Sequence, residues 1–227
     1  MKSSRVDISA VECLQVIGDD PSVAIVLLHG YGANMHDLFP LWELWHEKSY
    51  NWYFPNGVQS LNMGFYEGRA WFSIDVEELQ RAMAQGRMRD LRNSHPPELD
   101  QTIIILSGLL RELSKKHETI ILGGFSQGAM CASHLAMIES LNIKGLILMS
   151  GALISEDKIP RSAKSIPFYQ SHGSKDPVLS IEGAKDLEKK LLELNFSGKL
   201  HTFNGGHEIP PSVIHEVKDF LQSLTNA

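Results

Sequence analysis

The stretch "TIILGGFSQGAM", residues 119–130, changes character at its centre. "TIIL" is apolar and β-branched, as a buried strand reads. From Ser126 the chain turns rich in Ala, Met and Leu through residue 141, as a buried helix reads. The junction is therefore strand, tight turn, helix, with Ser126 at its apex. A strand that reverses directly into a helix forces its apex residue into a strained backbone state. Side chains two positions to either side would collide with neighbouring elements. Gly124 and Gly128 remove those side chains and leave the Ser126 hydroxyl exposed. The helix also aims its N-terminus at this point, which favours developing negative charge there. A plain helix-capping serine is the alternative reading of the same residue.

Working outward, "VAIVLLHG" (23–30), "KGLILMSG" (144–151) and "IPFYQSHG" (166–173) are further apolar runs that end in glycine turns. The more polar "GKLHTFNGGH" (198–207) ends the same way. Apolar residues on both faces of such a run are the mark of a strand covered by helices on both sides. Between the runs lie segments of helical period. Residues 99–116 carry Ile103, Leu106, Leu110 and Leu113 on one stripe, and 181–194 and 210–224 repeat the pattern, the last behind "EIPP". The alternation predicts an α/β fold: a mostly parallel sheet with helices on both faces, in one domain over residues 1–227. Residues 11–17 are expected to form an antiparallel edge strand. Residues 59–97 break the rhythm and read as an insertion flanking the site, with Pro96–Pro97 at its exit.

The composition narrows the class of function. The chain has 227 residues, 43% hydrophobic and 21% charged, with a net charge of −6. That balance is globular and argues against nucleic acid as a partner. No apolar run is long enough to span a membrane, so stable membrane insertion is not expected. The stretch "MKSSRVDISAVECLQV" has no apolar core or small-residue cleavage site, so no secretion signal is expected, and Cys13 and Cys131 are expected to be free thiols in a cytoplasmic setting.

A serine hydroxyl needs a base, and the base needs an orienting acid. In strand–turn–helix sites of this kind the acid and then the histidine follow the serine along the chain. Of the later histidines, His201 falls in a strand pattern and His215 in a helix pattern. His207 sits in "NGGHEIPP", where Gly205 and Gly206 leave it room to reach Ser126; His172, at another strand end, is the alternative. For the acid, Asp176 lies in the turn "SHGSKDPVLS", with Glu156 and Asp157 as alternatives. A metal hydrolase is disfavoured: His207, Glu208 and His215 lack the H-E-x-x-H spacing. Acyl transfer also calls for two backbone N–H donors, expected at Gln127, directly after the serine, and at Tyr31 in the turn "HGYGAN". His29 is expected to order that turn rather than take part in chemistry.

"LLHGYGAN", "YFPNG", "RAWF", "GGFSQGAM", "SHGSKDPVL" and "GGHEIPPSVIHEVKDFL" together resemble, in order, the blocks of the phospholipase/carboxylesterase family of α/β hydrolases. That family includes acyl-protein thioesterases and small bacterial carboxylesterases, and "GGHEIPP" is closer to the bacterial branch. The resemblance covers nearly the whole chain. It implies the α/β-hydrolase fold, a triad of Ser126, Asp176 and His207, oxyanion donors at Tyr31 and Gln127, and ester or thioester hydrolysis with no cofactor and no metal. Tyr31 stands where the family commonly has leucine. The expected substrate is a small-molecule ester or lipid with a short to medium acyl chain, and the expected state a monomer or homodimer. A lysophospholipase or acyl-protein thioesterase acting on longer chains is the alternative within the family; a peptidase, or a non-catalytic binding protein on the same fold, lies outside it. Phe65 and Trp71 are candidates to line the acyl pocket. Arg81, Arg87, Arg89 and Arg92 form either a solvated face or an attraction for an anionic substrate.

Overall fold

The computed structural model describes residues 2–45, 50–64, 66–87 and 90–225. The chain opens with β1 (Ser3–Ile8), β2 (Val11–Val16) and β3 (Val23–Leu28), then α1 (Leu41–Trp45) and β4 (Asn51–Pro55). The hairpin β5 (Gln59–Asn62) and β6 (Glu67–Ala70) follows, then α2 (Val76–Ala84) and α3 (Leu99–Leu113). The remainder alternates: β7 (Thr119–Phe125), α4 (Gln127–Ile138), β8 (Ile143–Met149), β9 (Pro167–Gly173), α5 (Ile181–Glu193), β10 (Ser197–Phe203) and α6 (Pro211–Thr225).

Eight strands form one sheet in the order β1-β2-β4-β3-β7-β8-β9-β10. From β4 to β10 every neighbouring pair is parallel, whereas β1–β2 and β2–β4 are antiparallel. The continuous apolar runs have the expected cause. In β3, Ala24, Val26 and Leu28 point into a core shared with α3, α4 and α5. Val23, Ile25 and Leu27 point into a second core shared with α1 and α6. β7 and β8 alternate between the same two cores, so a residue on either face of the central strands is buried.

Residues 11–16 are not the edge. β1 lies outside them, reached through a two-residue turn in which Ser9 and Ala10 both have positive φ (52° and 64°). Such hairpin turns favour Asn-Gly, and this one carries no glycine, so the outer strand left no turn signal in the sequence. The segment 59–97 contributes the separate β5–β6 sheet and α2. Two bonds fasten β6 to the loop after β3: Gly32 N donates to Arg69 O (2.9 Å) and Arg69 N to Ala33 O (2.7 Å).

One buried amide secures the entry to the sheet. Asn51 opens β4 and is 2% exposed. Its Nδ2 donates to Asp20 O (2.7 Å) and Val23 O (2.9 Å), and its Oδ1 accepts from Gly18 N (3.3 Å). Removing the amide strands backbone groups in a buried place. Asn51→Ala is therefore expected to lower stability by about 2–4 kcal/mol in urea denaturation. A loss within about 0.5 kcal/mol of zero would show that this stitching is dispensable.

Candidate active site

Ser126 sits between β7 and α4 with φ 55° and ψ −117°, outside the ordinary regions for a side-chain-bearing residue. Its N–H donates to Met149 O of β8 (2.9 Å). The steric case for the glycines is direct. A Cβ at Gly128 would run into the Leu28 carbonyl, and one at Gly124 into the Gly128 backbone. The turn can exist only because neither residue has a side chain.

His207 lies between Ser126 and Asp176. Its Nε2 is 2.8 Å from Ser126 Oγ and its Nδ1 is 2.6 Å from Asp176 Oδ2. A carboxylate only accepts, so Nδ1 carries the proton and Nε2 is free to receive one from Ser126. Phe125 supports the imidazole, with ring centroids 4.8 Å apart. The loops bearing His207 and Asp176 are joined by Ser174 N to Phe203 O (2.8 Å) and Lys175 N to Gly205 O (2.9 Å). A Cβ at Gly173 would strike the Gly205 and Gly206 carbonyls, so this approach also requires glycine.

Asp176 is 4% exposed. Burial works against its charge. The bonds from His207, from Leu179 N (3.0 Å) and from Val178 N (2.8 Å) outweigh burial and hold the carboxyl below its ordinary pKa. The alternatives weighed from sequence lie elsewhere. His201 pairs with Glu216 (2.9 Å), His215 faces Asp219 (3.7 Å) and Glu156 pairs with Lys190 (2.8 Å), while Asp157 is 4.0 Å from Lys158. His172 does not reach Ser126; it lies beneath Asp176, with Nε2 at 3.0 Å from Leu179 O.

Ser126 opens onto a cavity of about 640 Å³, whose wall includes Tyr31, Gln127, Phe72, Leu79, Leu91, Met130 and Ile154. Tyr31 and Gln127 thus stand beside the serine. The Gln127 N–H belongs to the first turn of α4, where no carbonyl within the helix can accept it. The Gln127 side chain has a task the sequence did not announce. Its Oε1 accepts from Trp71 N (2.9 Å) and its Nε2 donates to Phe72 O (2.7 Å), clamping α4 to the segment after β6.

Trp71 is a correction. It is fully buried and outside the cavity wall, because its indole Nε1 donates to His29 O (2.8 Å) and its ring packs 5.2 Å from the His29 ring. Its neighbour Phe72 takes the wall position instead. Phe65 and Arg89 lie outside the described residues. Arg81 and Arg87 pair with Glu78 (3.3 and 3.5 Å), and Arg92 with Asp90 (2.7 Å) and Asp186 (3.4 Å); none of the three lines the cavity. Among the described residues no cluster of three or more His, Cys, Asp or Glu is placed to hold a metal ion. No helix among them is long and apolar enough to cross a membrane.

A family model for phospholipases and carboxylesterases matches residues 11–225. The chain belongs to that family. It is accordingly a hydrolase of the esterase and thioesterase kind. Acyl-protein thioesterase 1 of Schizosaccharomyces pombe is 29% identical over 206 residues, 82% of this chain and 88% of that one. Acyl-protein thioesterase 1 of Debaryomyces hansenii is 24% identical over 188 residues, covering 78% and 77%. In fold, the chain is similar to the Bacillus cereus carboxylesterase (TM-score 0.74, 20% identity, 94% of each chain). A carboxylesterase from Mesorhizobium loti superposes with TM-score 0.77 at 16% identity, over 98% of this chain and 99% of that one.

His29 is what orders the Tyr31 loop. Its Nδ1–H donates to Gly30 O (2.7 Å) and its Nε2 accepts from Gly57 N (2.9 Å), so the ring is neutral. Burial pushes its pKa from the ordinary 6.5 to about 4. A folded value below the unfolded one means that the unfolded chain binds the extra proton first. Stability is then complete above about pH 6.5 and falls as the pH drops toward 4, by about 1.4 kcal/mol per unit from this ring. His134, buried in α4 and lowered to about 4 in the same way, adds to the slope. Urea denaturation at pH 7.5 and 5.0 should show this decline, with a shallower slope in His29→Gln. Equal slopes in the two proteins would refute the account.

Proposed function

We propose that the protein is a serine carboxylesterase acting on short- to medium-chain esters, with Ser126, His207 and Asp176 as its catalytic triad. The observation that carries this reading is the unbroken chain from Ser126 Oγ to His207 (2.8 Å) to Asp176 (2.6 Å), opening onto an apolar cavity. His207 Nε2 takes the Ser126 proton as Oγ attacks the acyl carbonyl carbon. The carbonyl π-pair becomes an oxyanion, held by the N–H groups of Tyr31 and Gln127. Collapse breaks the bond to the alcohol or thiol, which leaves with the proton from His207 Nε2. Water then repeats the sequence on the acyl-enzyme and releases the acid. Asp176 keeps Nδ1 protonated and stabilises the imidazolium. No cofactor is required by these steps.

The cavity's size gives room beyond an acetyl group. A second reading is a lysophospholipase or acyl-protein thioesterase acting on longer acyl chains; relatives that are acyl-protein thioesterases favour its thioester part. A p-nitrophenyl ester series from acetate to palmitate separates the two. Activity peaking at short or medium chains supports the carboxylesterase; a peak at palmitate transfers the assignment to the long-chain reading. Ser126→Ala should lose at least about 1,000-fold in kcat with an unchanged unfolding transition. Retained activity would end the triad assignment.

Charge at the cavity supports a further preference. Asp37 and Asp75 line its exposed part, while no Lys or Arg does among the described residues. A substrate bearing a cation in its leaving group should be favoured over its neutral isostere. Butyrylcholine is therefore expected to be cleaved about 3- to 10-fold faster, in kcat/KM, than 3,3-dimethylbutyl butyrate. Asp37→Asn should narrow the ratio, and salt should narrow it too. A ratio of one in the parent protein would rule the preference out.

A further inference from the structure

His172 is wholly enclosed at the end of β9, and one of its ring nitrogens has no partner among the described residues. Nδ1 is buried without a hydrogen bond, a costly arrangement that an aliphatic side chain would avoid. The other nitrogen explains what the ring does. Nε2 lies 3.0 Å from Leu179 O and 3.5 Å from Asp176 Oδ2. Both neighbours only accept, so Nε2 must bear the proton. Nδ1 is then a bare lone pair, and a cationic ring would need a second acceptor that the described residues do not provide. Burial pushes the His172 pKa down and His207 adds to this. The Leu179 carbonyl and the Asp176 carboxylate oppose it without overturning it.

The bonds close a ring around the acid. Asp176 Oδ1 accepts from Val178 N and Leu179 N, while Oδ2 accepts from His207 Nδ1. Leu179 is held from both sides, its N–H by Asp176 and its C=O by His172. The same Oδ2 that faces His207 is the oxygen nearest to His172. We propose that His172 is a positioning residue of this site: as a neutral Nε2–H imidazole it fixes the 176–179 turn and aims Asp176 Oδ2 at His207. The inference rests on the triad reading above.

The position of the donor makes the test selective. A glutamine amide nitrogen reaches about as far as Nε2, whereas an asparagine amide ends near Nδ1. His172→Asn and His172→Leu are expected to lower kcat about 10- to 100-fold with KM within about twofold, since misaiming a catalytic group by an ångström costs on that order. His172→Gln should recover most of the loss. Equal losses in the Gln and Asn variants, or parental kcat in the Leu variant, would overturn the proposal. Two readouts need no substrate. The low-field resonance of the His207 Nδ1 proton should persist in the parent and Gln variant and weaken in the Asn variant. In the parent, 15N spectra of the imidazoles should show His172 as the neutral Nε2–H tautomer; an Nδ1–H tautomer would overturn the proposal even if no variant folds. An unchanged His207 resonance in His172→Asn defeats this inference alone, whereas hydrolysis independent of Ser126 defeats the functional reading and this inference with it.

Discussion

The contact on which the site depends is one of backbone against backbone: Gly128 of α4 pressed onto the Leu28 carbonyl at the end of β3. It brings the start of α4 against the strand whose following loop carries Tyr31. The N–H groups of Tyr31 and Gln127, the oxyanion donors proposed above, belong to these two segments, so the contact would supply the preorganisation that oxyanion stabilisation requires. The contact also explains why Ser126 tolerates its strained φ. Its N–H is tied to β8, its carbonyl accepts from Met130 N (3.1 Å), and α4 is buried along nearly its whole length between sheet and α3. The surrounding packing over-determines a conformation that the residue would not choose alone.

Around that contact, neutral polar groups do the joining. His29, Gln127, Asn56 and Trp71 each bond to backbone atoms of another segment: His29 to Gly57, Gln127 to Trp71 and Phe72, Asn56 to Met35, Trp71 to His29. A neutral amide or imidazole can be buried once its bonds are made, whereas a charge demands far more compensation. Asp176 is a buried charge at the site, and several donors surround it. The contrast fits the two tasks. Joints need only geometry, but the acid of the proposed triad must keep its charge to stabilise an imidazolium.

Much of this was legible in the sequence. The apolar runs ending in glycine announced the parallel strands, because burial on both faces leaves no polar alternation. The glycines flanking Ser126 announced the elbow, since only a missing Cβ permits it. The outer strand β1 was not legible: its turn is built from Ser9 and Ala10, which carry no turn signature. Nor was the place of Trp71. A large aromatic residue near a site reads equally as wall or as core, and what decides is the indole N–H seeking the His29 carbonyl. The Gln127 clamp escaped for the same reason. Its partners are main-chain atoms, which every residue has, so no pattern of side chains marks them.

The division of labour between sheet and insertion follows from these constraints. The residues of the proposed triad and oxyanion hole follow the ends of β3, β7, β9 and β10, where paired strands hold the loops. Much of the apolar wall comes instead from the 72–97 segment, through Phe72, Ile74, Leu79, Leu91, Pro96 and Pro97. That segment is anchored at one end by the Gln127 clamp and at the other by α3, where His95 bonds Ser155 (2.9 Å) and faces Asp100 (3.3 Å). Between the anchors, the cavity-wall side chains named above belong to a different segment from the serine's turn. On the proposed reading, a change there would reshape what the cavity accepts and leave the triad in place. Substrate choice and bond chemistry, on that reading, fall to different segments of one chain.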